Sequence, residues 1–331
     1  MQRRTYGRVI TNRNGNSDRH EPLLDFVSKK MVTERKGGTI AERRTAVSWF
    51  DGENEMAVTP VDAATVVLLR QVKGSDRGFE VLMVLRSAKS SFVPSSYVFP
   101  GGRVEEEDIL PEIKHFSPMP HAIRDPDGLD KSVIPEGAAG FRVAAIRETF
   151  EEVGLLFACR SDGALLSLNR HDTEEQFVTY RRLVHNGEIS FTEMLKREDL
   201  MMALNRLHYF SRWITPELSP IRFDARFFVA RMPPCQEALH DGSELTGHMW
   251  VTPGEALKGY RERRFPMVVP IIMTLEELSR FDTIDAVIES TKGKKIQGVL
   301  TRMVLKGDEA EEHTPDGRIF RHSILPHAGM S

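Results

Sequence analysis

From Val143 to Gly154 the chain reads as a helix with two chemically opposed faces. At 3.6 residues per turn, Val143, Ile146, Phe150 and Val153 fall on one side. Glu148, Glu151 and Glu152 fall on the other, with Arg147 on their flank one turn before Glu151. Gly154 stands where a chain commonly leaves a helix through a left-handed turn. One face is therefore built to pack, and the other gathers three carboxylates that repel one another by a few tenths of a kcal/mol per pair. Such a face is ordinarily just solvated. A hard divalent cation turns the repulsion into a binding site, because Mg²⁺ prefers oxygen ligands and takes one or two carboxylates together with substrate phosphates. Upstream, a strand-like run ends in Phe99-Pro100-Gly101-Gly102, which supplies a tight turn beside such a helix.

Together these two pieces resemble the Nudix box, Gly-x5-Glu-x7-Arg-Glu-U-x-Glu-Glu-x-Gly-U, where U is a bulky aliphatic residue. Arg147, Glu148, Glu151, Glu152, Gly154 and Leu155 match its second half, and Thr149 departs from the aliphatic preference. The first half is stretched, with forty-four residues (103–146) standing where the box has thirteen. Counting back from Arg147 gives Ala139 in place of the consensus Glu, with Glu136 as a nearby substitute. A long insertion inside the box is similar to the coenzyme A diphosphatase branch of the family. The resemblance implies an α+β Nudix fold, an α/β/α sandwich with a mixed β-sheet, here enlarged by helical and loop insertions. It implies that Glu148, Glu151 and Glu152 bind Mg²⁺ or Mn²⁺, that Arg147 orients a glutamate, and that the Gly101-Gly102 turn contributes to the site. The implied reaction is attack of water on a diphosphate in a nucleoside-diphosphate-linked substrate, with coenzyme A or its esters leading and ADP-ribose-like compounds second. A Nudix-fold regulator that binds a ligand and hydrolyses nothing is the alternative of another class.

Net charge is −3 and the pI about 6.4, so no bulk attraction to nucleic acid is expected. No apolar run reaches the length of a membrane span. Cys159 and Cys235 lie far apart and form no metal-ligand pattern, which favours a reducing, cytoplasmic setting. A partner is expected in the small-molecule substrate, with a homodimer as a further expectation.

The organisation follows from composition and breakers. Residues 1–56 read as a basic, partly disordered extension; the first fifty carry eleven Lys/Arg against five Asp/Glu. Residues 57–290 read as one Nudix domain with insertions at about 108–138 and 172–207, and 291–331 as a C-terminal β-hairpin. Ala63–Gln71 and Phe79–Ser87 read as a hairpin, with Arg86 at its end. Arg86, Ser87 and the Phe99-Pro-Gly-Gly turn sit at a spacing similar to a coenzyme A motif beside some Nudix boxes, although Ser91 and Ser95 replace its Arg and Gly. Arg86 is thus either a phosphate contact or a surface arginine. Residues 108–138 hold five prolines and read as a non-helical excursion, either a lid or a passive insertion. Ser190-x-x-Glu193 is a capping box before a helix reaching about Leu207. In Arg222–Ala230, alternation sets Arg222, Asp224 and Arg226 on one face, where the two arginines could border a cleft. The resemblance also makes Glu244, on a late loop, a candidate metal ligand or base.

Overall fold

A computed structural model describes residues 58–75, 77–116, 136–168, 171–306 and 309–323. The expected extension 1–56 and residues 117–135 of the excursion lie outside them. The described residues open with antiparallel strands β1 (Val61–Gln71) and β2 (Phe79–Arg86), registered Leu69 against Val81. β3 (Tyr97–Val98) and β4 (Gly101–Arg103) follow, then two 3-10 turns at Glu106–Ile109 and Pro111–Phe116, then α1 (Glu136–Val153). β5 (Ala158–Cys159) follows, and the second expected insertion holds α2 (His171–His185), α3 (Phe191–Arg197) and β6 (Met201–Met202). After these come β7 (His208–Ile214), β8 (Phe223–Arg231) and β9 (Leu245–Val251). Helices α4 (Pro253–Arg261), α5 (Val269–Leu278) and α6 (Ile284–Ser290) precede β10 (Gly298–Leu300), β11 (Arg302–Lys306), β12 (Glu309–His313) and β13 (Ile319–Ser323).

Strands β10, β7, β8, β1, β2 and β3 lie side by side in that order, with β4 added to β1 and β9 to β2. β1 pairs parallel with β8 and β10 parallel with β7, while the other pairs are antiparallel, so the sheet is mixed. β1 is apolar on both faces because both faces are covered. Ala64, Val66 and Leu68 join the core beneath α1, α2 and α3, and Val67 and Leu69 join the core beneath α4, α5 and α6. This is the expected α/β/α sandwich. Among the described residues no helix is long and apolar enough to cross a membrane.

The site owes its place to a split in this sheet. The second half of β1 pairs with β2, but its first half pairs with β4, Thr65 against Gly101 and Ala64 against Gly102. β2 meanwhile pairs onward with β3 and β9. The two strands diverge, and the Gly101–Gly102 turn returns between them under α1.

Several local expectations change. The excursion is not wholly irregular: it begins in 3-10 turns, the second opened by Pro111, and α1 already starts at Glu136. The helix after Ser190 stops at Arg197 instead of about Leu207, where Asp199 takes a positive φ of 49° and β6 pairs with β5. Met194, Leu195, Met202, Leu204 and Leu207 are nonetheless buried, so their apolar pattern is satisfied by packing without one continuous helix. The expected terminal hairpin is instead the meander β11–β12–β13, with β10 peeled away to extend the main sheet.

Candidate active site

The apolar stripe of α1 fixes which way its acids point. Val143, Ile146, Phe150 and Val153 are all buried, which turns Glu148 and Glu152 toward β4. Gly101 N donates to Glu152 Oε2 at 2.8 Å. A Cβ on Gly102 would overlap the Glu148 carboxylate, and one on Gly101, whose φ is +154°, would overlap Ala64 O. Both glycines are required by close approach: one to the neighbouring strand, the other to an acid.

Arg147 organises the acids. Its NH1 donates to Glu148 Oε1 at 2.9 Å and Glu151 Oε1 at 3.2 Å, and NH2 reaches Arg103 O at 3.0 Å. Nε and NH2 also grip Asp108 in a bidentate pair, at 3.0 and 2.8 Å. Asp108 is 2% exposed and also accepts from Glu105 N at 2.9 Å. Burial opposes the Arg147 charge, but the Asp108 bond and the Glu148, Asp108 and Glu151 charges outweigh it and raise its pKa. Sequence reasoning missed Asp108, having counted back from Arg147 to Ala139. Counted forward, Asp108 is the sixth residue after Gly102, the place of the box's first acid, so the excess length falls between Asp108 and Arg147.

The acids pay electrostatically for this crowding. Burial, opposed by Arg147 and reinforced by Glu151, lifts Glu148 to about 7. Burial and then Glu148 push Glu152 well above its ordinary range, against the Gly101 N–H and the Arg86 charge. Glu244 adds to the upward push, so Arg86 and Glu244 both lie within electrostatic range of Glu152. Arg86 is held by Ser90 and Phe92: Nε donates to Ser90 Oγ and Phe92 O at 3.1 Å each, and NH2 to Ser90 Oγ at 2.8 Å. Glu244 is exposed, in a turn built on Asp241, whose carboxylate accepts from Ser243 N, Glu244 N and Leu245 N. Ser87 N donates to Glu244 O at 2.8 Å and brings the turn against the end of β2.

The other two arginines have partners of their own. Arg222 is buried, with Nε on Thr215 O and NH1 on Val58 O, so it ties strand ends instead of sharing a charged face with Arg226. Arg226 stacks on Phe141 of α1 at 3.8 Å. Asp224 is held by Arg212 through two bonds of 2.8 and 2.6 Å.

The donor chemistry fits a hard divalent cation. Among the described residues no three His, Cys, Asp or Glu side chains already stand at ligand spacing. Mg²⁺ does not require that, since it draws much of its shell from water and phosphate. Two buried carboxylates with raised pKa values, crowded against a turn that leaves no room for a Cβ, form an anionic pocket that a cation would relieve.

A mixed sheet split to admit a Gly-Gly turn, under a helix reading Arg-Glu-x-x-Glu-Glu-x-Gly, defines a Nudix domain. The chain belongs to the Nudix family described as NUDT19 Nudix domain, which matches residues 57–280. It is similar to the acyl-coenzyme A diphosphatase NUDT19 of Xenopus laevis, 30% identical over 248 residues, or 66% of this chain and 65% of that protein. The protein of the same name from Homo sapiens is 25% identical over 252 residues, 67% of this chain and 66% of that one. The matched part is thus just under two thirds of either relative. Among solved structures, a Nudix hydrolase from Alicyclobacillus acidocaldarius superposes with a TM-score of 0.59 at 25% identity, covering 70% of this chain and 96% of that one.

Proposed function

We propose that the protein is a metal-dependent diphosphatase that hydrolyses coenzyme A or acyl-coenzyme A to 3′,5′-ADP and (acyl-)4′-phosphopantetheine. The convergence of Glu148 and Glu152 on the Gly101–Gly102 turn carries the hydrolytic part. The relatives named as acyl-coenzyme A diphosphatases support the substrate.

Glu148, Glu151 and Glu152 would hold Mg²⁺ or Mn²⁺, which supplies charge neutralisation at the diphosphate and a more acidic water. Arg147 fixes Glu148 and Glu151 through one oxygen each, and the second Glu151 oxygen lies 4.0 Å from His185 Nδ1. Gly101 N fixes Glu152. Glu244, exposed and near Glu152, accepts the proton of the attacking water. A new P–O bond forms as the bridging P–O bond breaks, and the departing phosphate monoester takes the bond pair. The nearness of Arg86 to Glu152 supports a contact with the diphosphate itself. Arg226 and Arg222, with partners of their own, are the weaker candidates for substrate contact. The same proposal includes a cytoplasmic setting, supported by two unpaired cysteines, one of them exposed, and a homodimer, which light scattering would test.

The test is turnover of coenzyme A, acetyl-coenzyme A, 3′-dephospho-coenzyme A and ADP-ribose with Mg²⁺ and Mn²⁺. Preference for the coenzyme A pair supports the reading. Preference for ADP-ribose replaces the substrate, and tight binding without turnover replaces the enzyme with a regulator. Arg86→Ala should lower kcat/KM for coenzyme A by roughly tenfold or more, the loss of one charge-assisted contact. It should slow 3′-dephospho-coenzyme A alike. A loss confined to coenzyme A would move Arg86 to the 3′-phosphate.

A further inference from the structure

The C-terminal end of α1 is completed by two segments from outside the box. A helix leaves its last four carbonyls without helical partners. Here all four are met: Phe150 O by Gly154 N at 2.9 Å, Glu152 O by Asp241 N at 3.1 Å, and Val153 O by Leu239 N at 3.0 Å. The fourth, Glu151 O, accepts from Arg181 Nε at 2.8 Å, and Arg181 NH1 continues to Leu239 O at 2.8 Å. Arg181 belongs to α2, in the second insertion, and bridges the carboxylate helix to the 239–245 loop. Gly154, at φ +72°, lets it approach, since a Cβ there would lie 3.3 Å from Arg181 NH1.

We propose that Arg181 is a positioning residue, which clamps the carboxylate helix to the loop presenting Glu244. The inference rests on the part given to Glu244 in the proposed reaction. The line of bonds is continuous. Arg181 holds Leu239 O and Glu151 O. The amides of Leu239 and Asp241 hold the last two carbonyls of α1. The Asp241 carboxylate then holds Glu244 N at 2.8 Å. One end of the line is the backbone of Glu151, the other that of Glu244, and the middle is an insertion side chain. A helix cap alone would need one donor; a planar guanidinium spanning two carbonyls fixes the distance between two segments. Arg181 NH2 is buried and has no hydrogen-bond partner among the described residues. Burial lowers the Arg181 pKa, opposed by the charges of Asp241, Glu152 and Glu151, which lie close to it.

The experiment compares wild type, Arg181→Met, Arg181→Lys, Glu244→Gln and the Arg181→Met/Glu244→Gln pair. Three readouts are kcat and KM, binding of Mn²⁺ alone, and hydrogen exchange at the amides of Leu239 and Asp241. For Arg181→Met the clamp gives a kcat loss of roughly tenfold or more with KM little changed, the scale seen when a supporting shell is removed. It gives faster exchange at both amides while distant strands of the main sheet stay protected. Arg181→Lys, keeping charge but not the fork, should recover little of kcat. In the Glu244→Gln background, Arg181→Met should add almost nothing, the signature of two residues acting through one element. Unchanged exchange at Leu239 and Asp241 in Arg181→Met overturns the clamp. Full additivity with Glu244→Gln overturns its action through Glu244. If Glu244→Gln leaves kcat intact, the assignment of Glu244 in the reaction fails instead, and amide exchange together with Mn²⁺ binding still decides the clamp.

Discussion

Glu152 is buried beside the partly buried Glu148, and that combination sets its behaviour. Without a cation, each ionised carboxylate here costs desolvation and repulsion. Glu152→Gln keeps shape and removes the charge. It should therefore lower Mn²⁺ affinity at least ten- to a hundredfold, and turnover with it, while leaving the melting temperature of the metal-free protein at pH 7.5 equal or higher. Calorimetry on the two proteins checks both halves, and a large drop in melting temperature would show that the acid serves packing. The pH dependence has a definite sign. Glu148 titrates at about 7 in the fold against 4.5 ordinarily, so the folded chain holds this proton more tightly than the unfolded one. Its contribution is complete below about 4.5 and is lost as pH rises through 7. The metal-free protein should melt progressively lower between pH 5 and 7.5, and added Mg²⁺ should reverse the loss. A melting temperature that rises over that range would contradict the buried-acid arrangement.

The elements that build the site are joined by two contacts, and each gives a prediction. The first 3-10 turn meets α1 through Asp108 and Arg147, with side chains only 2% and 12% exposed. Arg147 keeps Glu148 and Glu151 as partners, so losing Asp108 removes a bidentate charge-assisted contact without stranding the charge, at about 1.5–3 kcal/mol. Asp108→Ala should lose stability of about that size in urea unfolding, and Asp108→Asn, which keeps an acceptor, distinctly less. The second contact is β4 against α1 at Gly102. Gly102→Ala must displace the Glu148 carboxylate, so kcat should fall far more than the roughly 1–3 kcal/mol that overpacking costs in stability. Thr149 shows how α1 absorbs a departure from the box pattern. It is fully buried, and its hydroxyl donates to Ala145 O at 2.7 Å, so the polar atom is met within the helix.

Across the whole molecule, the C-terminal segment supports the sheet from the side away from the acids. β10 lies on β7, at the opposite edge from β3 and β9. The meander is fastened by Arg318 to Glu276 of α5, and Phe320 packs against the α4–α6 core. Removing residues 296–331 would bare the β7 edge and the apolar surface that Phe320 covers. The truncated protein should melt at a lower temperature and self-associate through the exposed edge, while the fraction that stays folded keeps its kcat. A kcat loss in well-folded truncated protein would bring this segment into the site.

The sequence by itself determined the carboxylate helix, its buried stripe, the Gly-Gly turn and the apolar runs of the first two strands, because each is set by short-range pattern and local backbone freedom. It also carried Asp108, six residues past Gly102, although a count from the far side of the insertion hid it. Other features were decided only by tertiary structure. Arg222 and Arg226 share an alternation, but β7 and Val58 draw the first into backbone bonds while α1 covers the second. Gly298–Leu300 and Arg302–Lys306 are nearly adjacent strands, yet the first joins β7 and the second pairs within the meander. Arg181 reads as an ordinary polar position of a helix far along the chain. Its place at the end of α1 comes from chain segments thirty and fifty-eight residues away folding onto the same carbonyls, a juxtaposition that no local pattern encodes.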